Sequence, residues 1–176
     1  MRVVAGEARG RPIVAPDGNR TRPTSDRVRE SIFNMLFSLH ATGEVRVLDL
    51  YAGCGALGIE ALSRGATSCI FVEQDRRAVE CIRSNLEALG YDDRSTVIQA
   101  DVLDWVGQNQ APFDVVLADP PYADDSWTDV LDQIDARWLV AEAGSAVEEH
   151  PGWDVVREKT YGTTVVTVFA RQGSAS

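Results

Sequence analysis

The chain has 176 residues, a formal net charge of −10, 44% hydrophobic residues and 25% charged residues. This composition is typical of a soluble globular protein with one domain of ordinary size. No apolar run approaches the roughly 20 residues that cross a bilayer, and the first residues lack the apolar core and cleavage site of a signal peptide. We therefore expect a cytoplasmic monomer with no membrane partner.

The three cysteines, Cys54, Cys69 and Cys81, have no C-x-x-C spacing and no histidines clustered near them. This pattern indicates neither a disulfide framework nor a zinc site. We expect reduced cysteines and no bound metal.

Arginine is concentrated at the start of the chain. Residues 1–30 hold seven arginines against four acidic residues, and the remainder is strongly acidic. A net negative charge argues against a nucleic-acid partner, but a local basic segment is the kind of patch that binds phosphate. The alternative is a solvated charged face.

The stretches "RVVAG" and "RPIVA" around Gly10 predict a small hairpin.

The next segment, "TSDRVRESIFNMLFSLH", predicts a helix. Thr24, Ser25 or Asp26 can cap its N-terminus, and an apolar stripe follows at helical spacing. The stripe comprises Val28, Ile32, Met35, Leu36 and Leu39.

We expect a basic extension over residues 1–24, a main domain over residues 25–172 and a flexible tail over residues 173–176.

From residue 45 onward, short apolar runs alternate with helical patterns, which is typical of βα units that build a parallel sheet. The predicted strands are residues 45–51, 68–74, 95–100, 113–119 and 144–150. Residues 76–90 predict a helix that ends at Gly90. Residues 153–172 predict an antiparallel hairpin that turns at Tyr161-Gly162. The fold class is therefore α/β with a Rossmann-like sheet.

A glycine-rich turn follows the first predicted strand. Gly53, Gly55 and Gly58 satisfy G-x-G-x-x-G, and Glu73 lies 20 residues after Gly53, where a carboxylate can accept both hydroxyls of a ribose. The motif alone suits a nicotinamide dinucleotide or S-adenosylmethionine, and ordinary turn chemistry is the plainer alternative. Asp49 favours S-adenosylmethionine, because a carboxylate there suits an ammonium or sulfonium better than a pyrophosphate.

Asp101 follows the third predicted strand. It is placed to accept a hydrogen bond from an adenine amine, if the cofactor lies along the strand ends. An equally good interpretation is that Asp101 caps the helix that follows it.

The fourth predicted strand ends in Asp119-Pro120-Pro121-Tyr122. Two prolines make a stiff extended loop, so a carboxylate and a neighbouring carbonyl can face one cavity as a pair of acceptors. Such a pair matches the two hydrogens of a base amine, and Tyr122 can stack on the base. The alternative is a simple turn that leaves a buried strand.

These motifs together resemble the class I S-adenosylmethionine-dependent methyltransferases that act on amino groups, whose fourth strand ends in [DNS]-P-P-[YFW]. More narrowly, "RVVAGEARGRPI", "TRPTSDRVRESIFNML", "DLYAGCGALGIEALSRGA" and "VLADPPY" resemble the RsmD family. Its bacterial members methylate the N2 amine of one guanosine in 16S rRNA. The resemblance covers nearly the whole chain.

The resemblance implies a seven-stranded, mostly parallel sheet with an antiparallel C-terminal strand and a short N-terminal hairpin that helps to bind RNA. It implies S-adenosyl-L-methionine as cofactor and 16S rRNA, in the small ribosomal subunit or an assembly intermediate, as partner. Tyr51 and Cys54 stand where the family often has phenylalanine and serine.

The residues to which the resemblance assigns roles fall into three groups. The predicted cofactor contacts are Arg22, Thr24, Asp49, Tyr51, Gly53, Gly55, Gly58, Glu73, Gln74, Asp101 and Val102, with Glu73 on the ribose and Asp101 with Val102 on the adenine. The predicted catalytic loop is Asp119, Pro120, Pro121 and Tyr122. The predicted RNA contacts are Arg2, Arg9, Arg11 and Arg20.

Three other functions remain open at this point. D-P-P-Y also serves adenine-N6 methylation of DNA, although the chain shows no separate target-recognition domain. An NAD-dependent oxidoreductase would use the glycine turn alone. An inactive RNA-binding protein could keep the same fold.

Overall fold

The computed structural model describes residues 1–15, 25–121 and 127–173. The helices are α1 (Asp26–Ser38), α2 (Ala56–Ser63), α3 (Arg76–Leu89), α4 (Val102–Gln108) and α5 (Trp127–Gln133), and a single 3₁₀ turn spans Asp92–Arg94. The strands are β1 (Arg46–Leu50), β2 (Ser68–Glu73), β3 (Ser95–Gln99), β4 (Phe113–Ala118), β5 (Ala136–Ala143), β6 (Trp153–Tyr161) and β7 (Thr164–Arg171).

The seven strands form one sheet in the order β3-β2-β1-β4-β5-β7-β6. The pairs β1–β2, β2–β3, β1–β4 and β4–β5 are parallel. Strand β7 runs antiparallel to both of its neighbours, β5 and β6. This topology confirms the predicted mostly parallel sheet with an antiparallel C-terminal strand, and the predicted hairpin over residues 153–172 is β6 with β7.

The prediction of a strand at residues 144–150 is wrong. The fifth strand is β5, eight residues earlier in the chain, and residues 144–150 form a bend and an irregular segment. The interior position of β5 between β4 and β7 requires burial on both faces, which the run from Leu139 to Ala143 supplies. Arg137 and the buried Glu142 interrupt the apolar pattern and hide this strand in the sequence.

The two long predicted helices are confirmed with their caps. Ser25 accepts a hydrogen bond from Val28 N at the start of α1, so it is Ser25 that caps this helix. Gly90 ends α3 in a left-handed conformation with φ of 73°. The buried face of α1 differs from the predicted stripe, because it contains Phe33 and the charged Arg29.

Helices cover both faces of the sheet, and side chains that alternate along β1 serve opposite faces. Val47 packs in the core that contains α1, α2 and α3, whereas Leu48 and Leu50 pack in the core that contains α4 and α5. Strand alternation therefore directs Asp49 to the same face as Val47, beneath α2.

The predicted N-terminal hairpin is present as a short antiparallel pair. We call residues 1–15 the N-terminal arm. Arg2 forms a bridge with Pro12, Val3 N donates to Arg11 O, and Ile13 N donates to Met1 O. Val3, Ala8 and Ile13 are buried, so the arm packs as part of the domain. The boundary predicted between residues 24 and 25 adjoins residues 16–24, which are outside the described residues.

A buried carboxylate, Glu60 on α2, fastens the arm to the domain. Its Oε2 accepts from Val4 N at 2.8 Å and its Oε1 from Ala5 N at 2.9 Å. Arg64 Nε donates to Oε1 at 2.8 Å. Arg29 Nε lies 3.4 Å from Oε2, within ion-pair distance but without a hydrogen bond. The side chains of Glu60 and Arg29 are fully buried.

Within residues 1–15, 25–121 and 127–173, no helix is long and apolar enough to cross a membrane.

We expect Glu60→Ala to lower the free energy of unfolding by about 3–5 kcal/mol. The substitution removes the acceptor of Val4 N, Ala5 N and Arg64 Nε. It also leaves the buried guanidinium of Arg29 to pair with Asp26, whose side chain is 58% exposed. Urea denaturation measures this change. The matched control is Glu80→Ala, which removes the exposed Arg76–Glu80 pair on α3 and should cost about 0.5 kcal/mol or less. Equal effects of the two variants would contradict this account of Glu60.

Candidate functional site

The predicted site residues follow four neighbouring strands at one edge of the sheet. The chain adds β2 and then β3 on one side of β1, and it then returns to add β4 on the other side. The order in which strands are added therefore reverses between β1 and β4. Ligands of doubly wound sheets bind at such a reversal, beyond the carboxyl ends of the strands. Leu50 and Ala118, the last residues of β1 and β4, are register partners. The glycine turn and Asp119 therefore start side by side.

Asp49 caps α2 from the strand beneath it. The carboxyl group is 1% exposed, and its Oδ2 accepts from Gly58 N at 2.8 Å. Gly58 is the third residue of α2, whose N–H has no acceptor within the helix, and Gly55 at the N-cap position has no side chain to supply one. Asp49 therefore fixes the start of α2 against β1.

Burial raises the pKa of Asp49 to about 8, the Gly58 N–H opposes this shift, and the charge of Glu73 adds to it. The carboxyl group is consequently mostly protonated at pH 7. The role predicted for Asp49 opposite a sulfonium stays a prediction.

Three residues of the turn after β1 adopt left-handed backbone conformations, namely Tyr51, Gly53 and Gly55, with φ of 56°, 56° and 79°. Glycine takes this conformation without strain, whereas Tyr51 is an uncommon non-glycine example, of the kind that clusters at functional sites. Gly58 is required for a different reason. A Cβ there would lie 2.3 Å from Phe71 Cε1 and 2.7 Å from Cys69 Sγ, so its absence lets α2 pack closely on β2.

Glu73 ends β2 beside the glycine turn. Its Oε2 accepts from Gly53 N and its Oε1 from Asp75 N, each at 2.8 Å. Each carboxylate oxygen has a second acceptor position, so these bonds leave capacity for ribose hydroxyls. The neighbouring Gln74 is exposed, and its carbonyl accepts from Gln99 Nε2 at 3.4 Å.

Asp101 caps α4, which is the second of the two roles that the sequence predicts for it. Its Oδ1 accepts from Leu103 N at 2.9 Å and from Asp104 N at 3.1 Å. Val102 is buried at the first position of α4. The cap holds the Asp101 carboxylate at the end of β3, and its predicted contact with adenine stays a prediction.

The proline loop leaves β4 directly. Asp119 is partly buried, Pro120 is buried and Pro121 is exposed. Tyr122 lies outside the described residues, as do Arg20, Arg22 and Thr24. The predicted stacking by Tyr122 and the predicted contacts of those three residues therefore remain predictions.

The three predicted RNA-binding arginines of the arm are exposed. Arg2 Nη1 donates to Gly10 O at 2.7 Å within the arm. Arg11 Nη2 donates to Ala88 O at 2.6 Å, in the last turn of α3. A guanidinium carries five N–H donors, so Arg2 and Arg11 can hold the arm and still contact phosphate. Arg9 lies between them at the exposed end of the arm.

Four buried polar residues that join these elements are absent from the sequence-based predictions: Arg29, Glu60, Ser63 and Asn85. Each lies on the apolar face of a helix, among residues that pack in the core. A polar residue in such a position is the signal that could have found them, because a buried polar group needs a partner. Asp26 and Arg64 lie three and four residues from Arg29 and Glu60, so helical spacing could have suggested these partners. The partners in the arm lie far away in the chain and could not be predicted.

The arrangement suits a nucleoside-containing cofactor by the chemistry of its acceptors. Glu73 ends β2, Asp101 follows β3 as the N-cap of α4, and a glycine turn follows β1. Among residues 1–15, 25–121 and 127–173, no group of three or more His, Cys, Asp and Glu side chains could hold a metal ion.

Comparison with known proteins supports the same family. A family model described as "Conserved hypothetical protein 95" matches residues 1–170. The chain is 39% identical to "Putative rRNA methyltransferase YlbH" of Bacillus subtilis (strain 168), over 98% of this chain and 100% of that protein. It is 32% identical to "Ribosomal RNA small subunit methyltransferase D" of Escherichia coli (strain K12), over 98% of this chain and 90% of that protein.

A solved structure named "Putative methyltransferase yhhF from Escherichia coli" superposes on this chain with a TM-score of 0.85 and 30% sequence identity. The match covers 97% of each chain. The likeness therefore includes the arm as well as the sheet.

We expect Asp49→Asn to change the pH dependence of stability. The pKa of Asp49 is raised from its ordinary value near 4 to about 8, so between these pH values the folded protein keeps a proton that the unfolded chain has lost. The free energy of unfolding should fall as pH rises through this window, by about 1.4 kcal/mol per pH unit. Asparagine has no such proton.

Urea denaturation of both proteins from about pH 5 to about pH 9.5 measures this difference. The free energy of unfolding of Asp49→Asn, relative to wild type, should increase with pH and level off above about pH 8. Parallel pH profiles would contradict the protonated state of Asp49.

Proposed function

The chain belongs to the RsmD family and has the class I methyltransferase fold, and from this premise we propose that it methylates the exocyclic N2 amine of one guanosine in bacterial 16S rRNA. The proposed methyl donor is S-adenosyl-L-methionine. The proposed partner is the small ribosomal subunit or an assembly intermediate, which the protein meets as a monomer in the cytoplasm. The names of the full-length relatives support ribosomal RNA as the substrate class.

One observation carries the proposal. Leu50 and Ala118 are register partners on adjacent strands. The glycine turn and the Asp119-Pro120-Pro121 loop therefore begin side by side, at the point where the sheet order reverses. A methyl donor on the turn and an amine at Asp119 would then be neighbours. Positioning of this kind supplies a large part of the rate of a group transfer between two bound reactants.

The proposed cofactor contacts follow the strand ends outward from β1. Backbone groups of Tyr51, Gly53 and Gly55 line the methionine part, and Asp49 lies beneath them. Glu73 with Gln74 binds the ribose, and Asp101 with Val102 binds the adenine. Arg22 and Thr24 contact the cofactor carboxylate. S-adenosyl-L-methionine, when bound, would supply a methyl group on a positively charged sulfur and would leave as the neutral thioether S-adenosyl-L-homocysteine.

Asp119 prepares the amine for attack. The lone pair of an exocyclic amine is delocalised into the base, so this nitrogen is a poor nucleophile. Acceptance of its two N–H bonds, by the Asp119 carboxylate and the Pro120 carbonyl, favours a more pyramidal and more nucleophilic nitrogen. The carboxylate also offsets the positive charge that develops on the nitrogen and can accept the proton that the nitrogen loses.

Pro121 and Tyr122 complete the proposed base pocket. The two prolines restrict the backbone on either side of the Pro120 carbonyl, and Tyr122 stacks on the guanine. The guanosine has to leave its stack, or lie in an exposed loop, before its amine can reach Asp119.

The arm supplies the positive charge that an otherwise acidic protein needs to approach RNA. Arg2, Arg9 and Arg11 are exposed on one short docked segment, and Arg20 follows in the same part of the chain. Contacts between these arginines and phosphate would hold the RNA without reading its sequence.

We expect Asp119→Ala to lower kcat for methyl transfer by about 10²–10³-fold, because the carboxylate acts on the amine and its developing charge. The affinity for S-adenosylmethionine should stay within about twofold, because Asp119 does not contact the cofactor in this proposal. Labelled methyl transfer to small-subunit RNA measures kcat, and calorimetry measures cofactor affinity.

The matched control is Asp154→Ala, on the edge strand β6 away from the reversal point, which should behave as wild type. Equal turnover by Asp119→Ala and Asp154→Ala would contradict the role of Asp119. Tight binding of NAD together with no binding of S-adenosylmethionine would overturn the proposed function itself.

A further inference from the structure

One buried side chain joins the N-terminal arm to the glycine turn. Asn85 on α3 is 3% exposed. Its Oδ1 accepts from Val14 N at 2.9 Å, and its Nδ2 donates to Val14 O at 2.9 Å and to Cys54 O at 3.1 Å. The amide therefore uses its acceptor and both of its N–H hydrogens. Two of the three bonds go to the arm and one goes to the turn.

The bonds to Val14 fix the C-terminal end of the arm. The Val14 side chain is 64% exposed, so its burial does not hold this residue in place. The backbone of Val14 is held by the Asn85 amide and by Cys81 Sγ, which lies 2.9 Å from Val14 O. Displacement of this part of the arm would break two hydrogen bonds of a buried amide.

The bond to Cys54 fixes the centre of the glycine turn. Cys54 lies between Gly53 and Gly55, the two glycines with left-handed backbones. A hydrogen bond to its carbonyl orients the peptide unit that leads into Gly55, the N-cap of α2. Loss of the bond would leave a buried carbonyl without this donor, and the peptide unit would then be held through its N–H, which donates from Gly55 N to Ala52 O at 2.7 Å.

A second set of contacts between the arm and the domain avoids the turn. Ser63 Oγ, at the end of α2, donates to Ala5 O at 2.6 Å and accepts from Ala8 N at 3.0 Å. These bonds hold the middle of the arm on α2. The contrast separates two roles, because Ser63 docks the arm and Asn85 both docks the arm and holds the turn.

We propose that Asn85 is a positioning residue that couples the arm to the glycine turn, so that RNA held by the arm tightens binding of the cofactor. The inference rests on the proposed function, because it assumes that the arm binds RNA and that the turn binds S-adenosylmethionine. Glu60 and Ser63 hold the start and the middle of the arm, whereas Asn85 holds its Val14 end. Docking of this end and order in the turn share one amide, so RNA that favours the docked Val14 end also favours the ordered turn. Thermodynamic linkage requires the cofactor to tighten RNA binding by the same factor.

The test measures the dissociation constant of S-adenosylmethionine by calorimetry, with and without a small-subunit RNA fragment, for wild type, Asn85→Ala and Ser63→Ala. We expect RNA to tighten cofactor binding to wild type by about fivefold or more. Ser63→Ala should keep this ratio and the wild-type affinity without RNA. Asn85→Ala should weaken cofactor binding about tenfold without RNA and should show a ratio near one.

Asn85→Leu provides a second variant if Asn85→Ala does not fold, because it keeps the side-chain volume and places no charge among the buried carbonyls. It removes the donor to Val14 O and Cys54 O, so it should show the same loss of coupling. A merely structural role for Asn85 would lower the melting temperature and leave the cofactor affinity and the ratio as in Ser63→Ala. That result would overturn the inference.

The inference and the proposed function fail in different ways. Wild type that methylates RNA but binds S-adenosylmethionine equally well with and without RNA overturns the coupling and leaves the function intact. Wild type that binds no S-adenosylmethionine, or transfers no methyl group to RNA, overturns the proposed function and the coupling with it.

Discussion

The buried carboxylate of Glu60 joins the N-terminal arm to the first two helices of the domain. A charged group that is fully buried has to be paired and hydrogen-bonded. Glu60 meets this requirement with two backbone N–H groups of the arm and with Arg29 and Arg64. Separation of residues 4 and 5 from α2 would expose that charge to solvent or leave it without these two donors. The position of the arm on α2 is therefore a condition for a stable domain as well as a surface for a partner.

The same short helix connects the arm to the candidate site. All eight residues of α2 are buried, because the arm covers the side that faces away from the sheet. Its first turn is capped from β1 by Asp49, and the turn before it is held by Asn85 and Glu73. The glycine turn is consequently fixed by side chains from three neighbouring elements, and its own residues supply little besides backbone freedom.

Local patterns in the sequence predict much of this architecture, and the failures have identifiable causes. The glycine turn, the helix over residues 76–90 and the C-terminal hairpin depend on spacing within a few residues, so each could be predicted. Strand β5 does not stand out in the sequence, because Arg137 and Glu142 break its apolar run, although Glu142 is buried. The contacts of Glu60 and Asn85 with the arm join residues 55 to 71 positions apart. A local pattern in the sequence cannot predict hydrogen bonds between residues so far apart in the chain.

The central claim is that this site transfers a methyl group to the N2 amine of a guanosine in small-subunit RNA. The most direct measurement incubates the protein with methyl-labelled S-adenosylmethionine and either naked 16S rRNA or small subunits that lack the modification, then digests the RNA and identifies the labelled nucleoside. The account predicts N2-methylguanosine at a single position. Label in N6-methyladenosine, or no label in RNA under conditions where the protein binds the cofactor, would contradict it.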